Sequence, residues 1–132
     1  MMKMASLVTA ALLWAAPAFA ACPPGQQAML TVRLYFGQTA DGHQLPAAQW
    51  RDFVARSVTP RFPDGFTIYD ALGQWRDPRT RTVQREPSKV IEIAAPDTPA
   101  LRARAQELRE IYAHRFHQQS VGLVTMQGCG TF

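Results

Sequence analysis

The 132 residues are 47% hydrophobic and 18% charged, with two cysteines and a formal charge of +4. That balance suits one compact core, which typically takes roughly 100–200 residues. It excludes a long solenoid, a multi-span membrane protein and a tail-like disordered chain, and it names no reaction.

The first segment reads as a secretory signal peptide. Lys3 is the basic n-region, Ala5 to Ala16 form the apolar h-region, Pro17 breaks the helix, and Ala18-Phe19-Ala20 place small residues where a signal peptidase reads. A spanning helix wants about 20 apolar residues, and Pro17 interrupts this run. Cleavage after Ala20 removes 20 of the 132 residues and leaves 112; Lys3 goes with them, so the charge becomes +3 and Lys89 is the one lysine beside twelve arginines. The expected organisation is a signal peptide over 1–20, an N-terminal extension over 21–28 and one folded domain over 29–132. The expected location is periplasmic or secreted.

Cys22 and Cys129 stand near the two ends of the mature chain. An even count in an exported protein suggests a disulfide, because the compartment is oxidising. The competing reading makes Cys22 a lipid anchor. Phe19-Ala20-Ala21 resembles a lipobox, although Phe19 stands where leucine is usual, and lipidation would leave Cys129 unpaired.

Met29 to Gly37 alternates: Leu30, Val32, Leu34 and Phe36 take one face, Thr31, Arg33 and Tyr35 the other, which predicts a strand. Asp41-Gly42 is a turn signal. Trp50, Phe53, Val54 and Val58 form one helical stripe within Pro46 to Phe62, and Pro60 ends that helix near Val58 or Thr59. Phe66 to Trp75 is a second strand, with Gly73 as a candidate bulge. Asp77-Pro78-Arg79-Thr80 reads as a hairpin turn. Thr82 to Ala94 is a third strand with a bulge or kink expected at Pro87. Asp97 or Thr98 caps a second helix, with Pro99 in its first turn and Leu101, Ala105, Leu108, Ile111, Tyr112 and Phe116 as its apolar stripe, ending near Gln118 or Gln119. Ser120 to Gln127 is a last strand.

The order β-α-β-β-α-β is that of an α+β, ferredoxin-like fold: a four-stranded antiparallel sheet of order 4-1-3-2 with both helices on one face. The fourth strand then runs antiparallel to the first, which brings the segment of Cys129 beside that of Cys22.

Five blocks carry a resemblance. Leu34-Tyr35-Phe36-Gly37, Thr59-Pro60-Arg61-Phe62-Pro63-Asp64-Gly65, Gly73-Gln74-Trp75-Arg76, Glu86-Pro87-Ser88-Lys89 and Gln118-Gln119-Ser120-Val121 are similar, in this order, to the bacterial family called domain of unknown function 3574. The resemblance spans roughly Cys22 to Phe132. It implies an exported protein with cysteines near both ends, and lends no catalytic residue.

The uncovered sheet face is the first candidate site. It is expected to carry Arg33 and Tyr35, Thr67 and Tyr69, and Glu92. A polar-aromatic face suits a ligand pocket or the pairing of two chains; a solvated antiparallel sheet is the plainer account. RNA-recognition modules share the topology, but they need aromatics on the third strand, and Lys89 to Ile93 holds none. Nucleic acid is therefore not an expected partner. Glu86-x-Ser88-Lys89 invites a serine–lysine dyad, yet adjacent strand residues face opposite ways, and Glu86 paired with Arg76 or Arg85 is the simpler reading. Glu110, His114 and His117 share a helical face but lack further ligands, so no metal site is assigned. Arg61, Arg76, Arg79, Arg81 and Arg85 read as a charged hairpin surface rather than an anion site. No phosphate loop or nucleophile elbow occurs, and no cofactor is expected.

The leading expectation is a non-catalytic envelope protein that binds a small molecule or a protein partner through Arg33, Tyr35, Tyr69 and Glu92, with no membrane-spanning helix after cleavage. The alternative is a cofactor-free enzyme of the dimeric α+β barrel type, two chains enclosing a pocket between their open faces.

Overall fold

The structure, a computed structural model, describes residues 21–132. The expected signal segment, residues 1–20, lies outside the described residues. The elements are β1 (Gln27–Gly37), β2 (Thr39–Ala40), β3 (His43–Gln44), α1 (Ala47–Phe53), β4 (Thr67–Arg76), β5 (Val83–Ala95), α2 (Pro99–Arg115) and β6 (Gly122–Gly130). Four long strands make one antiparallel sheet, and two helices pack on it.

The alternation of β1 builds the molecule. Leu30, Val32, Leu34 and Phe36 are fully buried under the helices, together with Ile91 and Ile93 of β5. The helices answer with Trp50 and Phe53 from α1 and Leu101, Ala105, Leu108 and Tyr112 from α2. Each fully buried large side chain contributes roughly 1.5–3 kcal/mol of transfer free energy. Tyr112 packs edge-on against Phe36 at 4.7 Å and Phe53 at 4.9 Å, and lies 4.7 Å from Phe116.

The sheet order is β4-β5-β1-β6. In that count it is not the expected 4-1-3-2, because two short strands enter between the first long strand and α1. Asp41 and Gly42 both take positive φ, 50° and 80°. That conformation closes a two-residue hairpin and turns the expected loop into the ribbon β2–β3. Among the four long strands alone, the neighbours run second, third, first, fourth.

Three local expectations need correcting. Gly73 makes no bulge: the β4–β5 register runs unbroken through Leu72↔Pro87, Gly73↔Glu86 and Gln74↔Arg85. Pro87 makes none either. Its carbonyl accepts from Gln38 N–H at 2.9 Å, so its nitrogen also faces the side where β1 has ended, and the missing donor breaks no ladder bond. Finally, α2 stops at Arg115, not at Gln118 or Gln119. His117 takes a positive φ of 49°, and the Gln118 side chain donates to the Phe116 carbonyl at 3.0 Å, which closes the helix end.

Other local signals are realised as expected. Thr98 caps α2, its Oγ1 accepting from Leu101 N–H at 3.1 Å, with Pro99 following. Asp77 Oδ1 accepts from the backbone of Arg79 at 2.8 Å and Thr80 at 3.2 Å, which shapes the β4–β5 turn. The first helix continues past Phe53 as a π-helical stretch, Val54–Val58, in which Thr59 N–H reaches the Val54 carbonyl.

β1 pairs β6 with Ala28 opposite Cys129, and Cys22 is bonded to Cys129 across a sequence separation of 107. The bond uses the sulfur that a lipid anchor on Cys22 would also need. Closing so long a loop removes much unfolded-state entropy. Replacing both cysteines by serine should lower stability by about 2–5 kcal/mol in urea titrations; unchanged midpoints, or two alkylatable thiols in the unreduced protein, would refute the cross-link.

Candidate functional site

The face of the sheet away from the helices is open. Opposite-strand register sets its rows. Val124, Arg33, Glu92 and Thr67 form one; Gly122, Tyr35, Val90 and Tyr69 form the next; Gly37, Ser88 and Ala71, then Glu86 and Gly73, then Gln84 and Trp75 continue toward the β4–β5 turn.

Arg33, Tyr35, Tyr69 and Glu92 do come together there. Arg33 Nε donates to Glu92 Oε2. Hydrogen bonding from Arg33 holds the Glu92 carboxyl below its ordinary value, partial burial opposes this, and Tyr69 adds to the lowering. The bond to Glu92 and partial burial raise the Tyr69 hydroxyl. The two charges at this centre therefore satisfy each other. Around them stand apolar groups with much of their surface free: Tyr35 at 40%, Tyr69 at 41%, Val124 at 45% and Met126 at 41% exposure.

The concave part of the face lies one step further along. Beyond Ser88, β5 has no β1 neighbour, so β4 and β5 project as a two-stranded arm. The arm forms one wall of a cleft, the segment from His117 to Gly122 forms the other, and Tyr35 and Gly37 lie between them. The cleft has a volume of 520 Å³, within the range of small-molecule sites. Trp75 and Tyr35 line it, at 38% and 40% exposure, so both rings are available to a ligand.

Glycine at three face positions makes room for the side chains that line the hollow. A Cβ on Gly37 would stand 2.7 Å from Glu86 Oε1 and 2.9 Å from Gln118 Oε1; one on Gly73 would stand 3.0 Å from Ser88 Oγ; one on Gly122 would stand 3.2 Å from the Tyr35 side chain. The Glu86 carboxylate thus rests on bare backbone. Below it, the buried Tyr112 hydroxyl donates to the Gly37 carbonyl at 2.6 Å and accepts from Gln38 Nε2 at 3.0 Å. Burial first, and the Glu86 charge second, push the Tyr112 pKa upward, so this hydroxyl stays a donor.

Glu86 pairs with neither Arg76 nor Arg85, contrary to the simple expectation. Arg85 Nε donates to Gln74 Oε1 at 2.6 Å instead. Among the described residues, Glu86 is the one partly buried carboxylate without an ion pair or hydrogen bond; those of Asp52, Asp77 and Glu92 are all engaged. Ser88 faces the cleft while Lys89 pairs with Asp70, so the two form no dyad. His117 Nδ1 faces Asp41 Oδ2 at 3.0 Å on the cleft rim. With α2 ended at Arg115, His117 no longer shares a helical face with Glu110 and His114, and no group of three or more His, Cys, Asp or Glu able to hold a metal occurs among the described residues. Arg61 stands apart from the hairpin arginines, bonding Glu107 at 3.4 Å.

Glu86, Trp75, Gln118 and the glycines escaped the sequence reading. Period two, counted back from the Asp77 turn, places Gly73, Trp75 and Glu86 on the face of Tyr35; treating Gly73 and Pro87 as breaks in the strands hid that parity.

A family described as protein of unknown function (DUF3574) matches residues 31–132. The chain belongs to this family. No curated protein matches the DUF3574 chain in sequence at a significant level. Among solved structures, it is similar to a phage SAM lyase in complex with S-methyl-5'-thioadenosine, with a TM-score of 0.62 and 16% identity over 79% of this chain and 90% of that one. It is similar also to a phage SAM lyase in the apo state, at 0.58 and 15% over 87% and 97%. At such identity the likeness concerns the fold.

The Glu92 shift has a definite pH consequence. A carboxyl held below its ordinary value of 4.5 stabilises the fold above that value and loses the contribution as pH falls through the folded-state pKa. Glu92→Gln should therefore be less stable than wild type at pH 7, and the gap should close in acid. A gap that is constant from neutral pH to about pH 3, read by urea titration, would contradict the Arg33–Glu92 link.

Proposed function

We propose that this chain is an exported binding module whose open sheet face takes a small organic molecule, seated in the cleft between the β4–β5 arm and the His117–Gly122 segment. The observation that carries this reading is the unengaged Glu86 carboxylate, which opens onto a hollow lined by Trp75 and Tyr35. With no partner in the chain, this carboxylate has its hydrogen-bonding and charge-pairing capacity to spare for a ligand. Arg33, Tyr69 and Glu92 stand beside the cleft and act as its rigid border, since their polar groups are already paired.

The β-α-β-β-α-β order of the long elements and their neighbour relations support a ferredoxin-like classification; the folded domain begins earlier than residue 29, since Gln27 and Ala28 already pair with Gly130 and Cys129 in the sheet. Export to the periplasm or medium is supported by the signal-like pattern of residues 1–20 and by the Cys22–Cys129 bond. No helix among the described residues is long and apolar enough to cross a membrane.

The test is a titration of isotope-labelled mature protein with a fragment set that includes S-methyl-5'-thioadenosine, the molecule held by a protein of similar fold. Binding in the cleft should shift the amide signals of Tyr35, Trp75 and Gly122. A set that leaves all three unmoved would overturn the reading.

A second reading, two copies joined through the open face, is favoured by the exposed patch of Tyr35, Tyr69, Val124 and Met126. In light scattering, the wild type should weigh as a dimer and Val124→Lys as a monomer; a wild-type monomer at high concentration dismisses it.

A further inference from the structure

We infer that the cleft selects a small organic cation, with Glu86 as its counter-ion; this rests on the cleft being a binding site and names the class of ligand it takes.

The argument begins with what converges on the floor. Glu86 Oε1 and Gln118 Oε1 both lie within 3 Å of the point where a side chain on Gly37 would begin, at 2.7 and 2.9 Å. Both are acceptors. The donor end of Gln118 is committed elsewhere, its Nε2 bonding the carbonyls of Thr39 at 2.6 Å and Phe116 at 3.0 Å. The floor therefore offers lone pairs and asks for hydrogens or positive charge.

The walls supply no ion-pair partner for Glu86. Two basic side chains line the cleft, Arg85 and His117. Arg85 Nε is turned to Gln74, and His117 to Asp41. The guanidinium nearest along the sheet, Arg33, is held by Glu92, and the ammonium of Lys89 by Asp70. Arg85 keeps its charge, since Gln74 is neutral, but forms no ion pair with Glu86, so the carboxylate faces the cleft without an ion-pair partner. An anionic ligand would meet the like charge of the carboxylate at close range. A neutral ligand would satisfy its hydrogen-bonding capacity but not its charge.

The rings complete the case. Trp75 follows Gly73 by two positions on β4 and so stands on the same face, diagonal to Glu86 across the β4–β5 pair. Tyr35 lies on β1, across β5 from Trp75, with its side chain against Gly122 and 40% of its surface exposed. Aromatic faces carry negative electrostatic potential and attract ammonium groups. The unpaired Glu86 carboxylate, the Gln118 amide oxygen and two exposed aromatic rings around 520 Å³, with the second lining carboxylate, Asp77, engaged in its turn, suit a compact ammonium or alkylated ammonium compound rather than a polymer.

The test compares matched probes on the disulfide-bonded mature protein. Choline and benzyltrimethylammonium are titrated beside dimethylbutanol, the uncharged carbon isostere of choline, following Trp75 fluorescence and the Tyr35 and Gly122 amide signals. The cations should bind about tenfold or more tightly than the isostere, and Glu86→Gln should remove that preference while leaving the weak binding of the isostere unchanged. Trp75→Leu, which keeps an apolar wall but removes the aromatic face, should weaken the cations more than the isostere in the Tyr35 and Gly122 amide titrations, and so keeps the proposal testable should Glu86→Gln fold poorly. Equal affinity for cation and isostere, binding of neither cation, or a cation preference that survives Glu86→Gln would overturn it. A cleft that binds neutral fragments yet ignores charge defeats this inference while leaving the binding module intact; a cleft that binds no fragment at all defeats both.

Discussion

The bond from the Tyr112 hydroxyl to the Gly37 carbonyl ties the core to the cleft. The Tyr112 ring sits at the centre of an aromatic cluster with Phe36, Trp50, Phe53 and Phe116, so its position is set by packing from both helices and from β1. Its oxygen then fixes the last residue of β1 from below. Above that residue lies the Glu86 carboxylate, and beside it the Gln118 amide. A shift of α2 along the sheet would move Gly37 and with it the floor on which both acceptors rest. Because protein interiors are close-packed, such a shift is resisted by the whole cluster rather than by one bond.

The two faces of the sheet divide the work by a difference in side-chain period alone. On β1, the even-numbered residues from Leu30 to Phe36 are consumed by the core, and the odd-numbered ones are left for the open face. On β5 the division is less strict. Val90 is buried although it shares the open face, because Tyr35 and Tyr69 flank it in the same row. The open face is thus a partly covered surface, with an apolar strip at the row of Val90, a closed ion pair at Arg33 and Glu92, and a hollow where glycines replace side chains. The charged groups most visible in the sequence as a candidate site turn out to be the ones with least capacity to spare, since each already holds the other.

Much of this was legible from residues. The alternation of Met29–Gly37, the Thr98-Pro99 start of α2 and the Asp77 turn follow from short-range rules, the closeness of the two cysteines from the strand order, and the structure realises each of them. What was misread has a common origin. Gly73 and Pro87 read as interruptions because each weakens an isolated strand. Whether they interrupt depends on what lies beside them: Pro87 stands where β1 has ended, and Gly73 stands beneath Ser88. The end of α2 was placed too late because the apolar stripe continues to Phe116, while the chain leaves the helix through the left-handed conformation of His117, which no periodicity reveals. Glu86 was assigned to an arginine because charge pairing is the commonest fate of a carboxylate; its real surroundings come from Gly37 and Gln118, far away in sequence.

The glycines separate into two kinds, and the distinction bears on what the cleft is for. Gly25, Gly42 and Gly65 have positive φ and open space where a side chain would go, so their role is conformational. Gly37, Gly73 and Gly122 have no such backbone need; they lie in strands, where glycine costs roughly 0.5–1 kcal/mol relative to alanine. What forbids a side chain there is the presence of Glu86, Gln118, Ser88 and Tyr35. A fold selected for stability alone would fill such positions and let the carboxylate turn outward to water or to Arg85. Instead the sheet is left bare at three neighbouring points, with polar groups laid into the gap and two aromatic rings at its margin. Those are the ingredients of a surface shaped around something other than the chain itself.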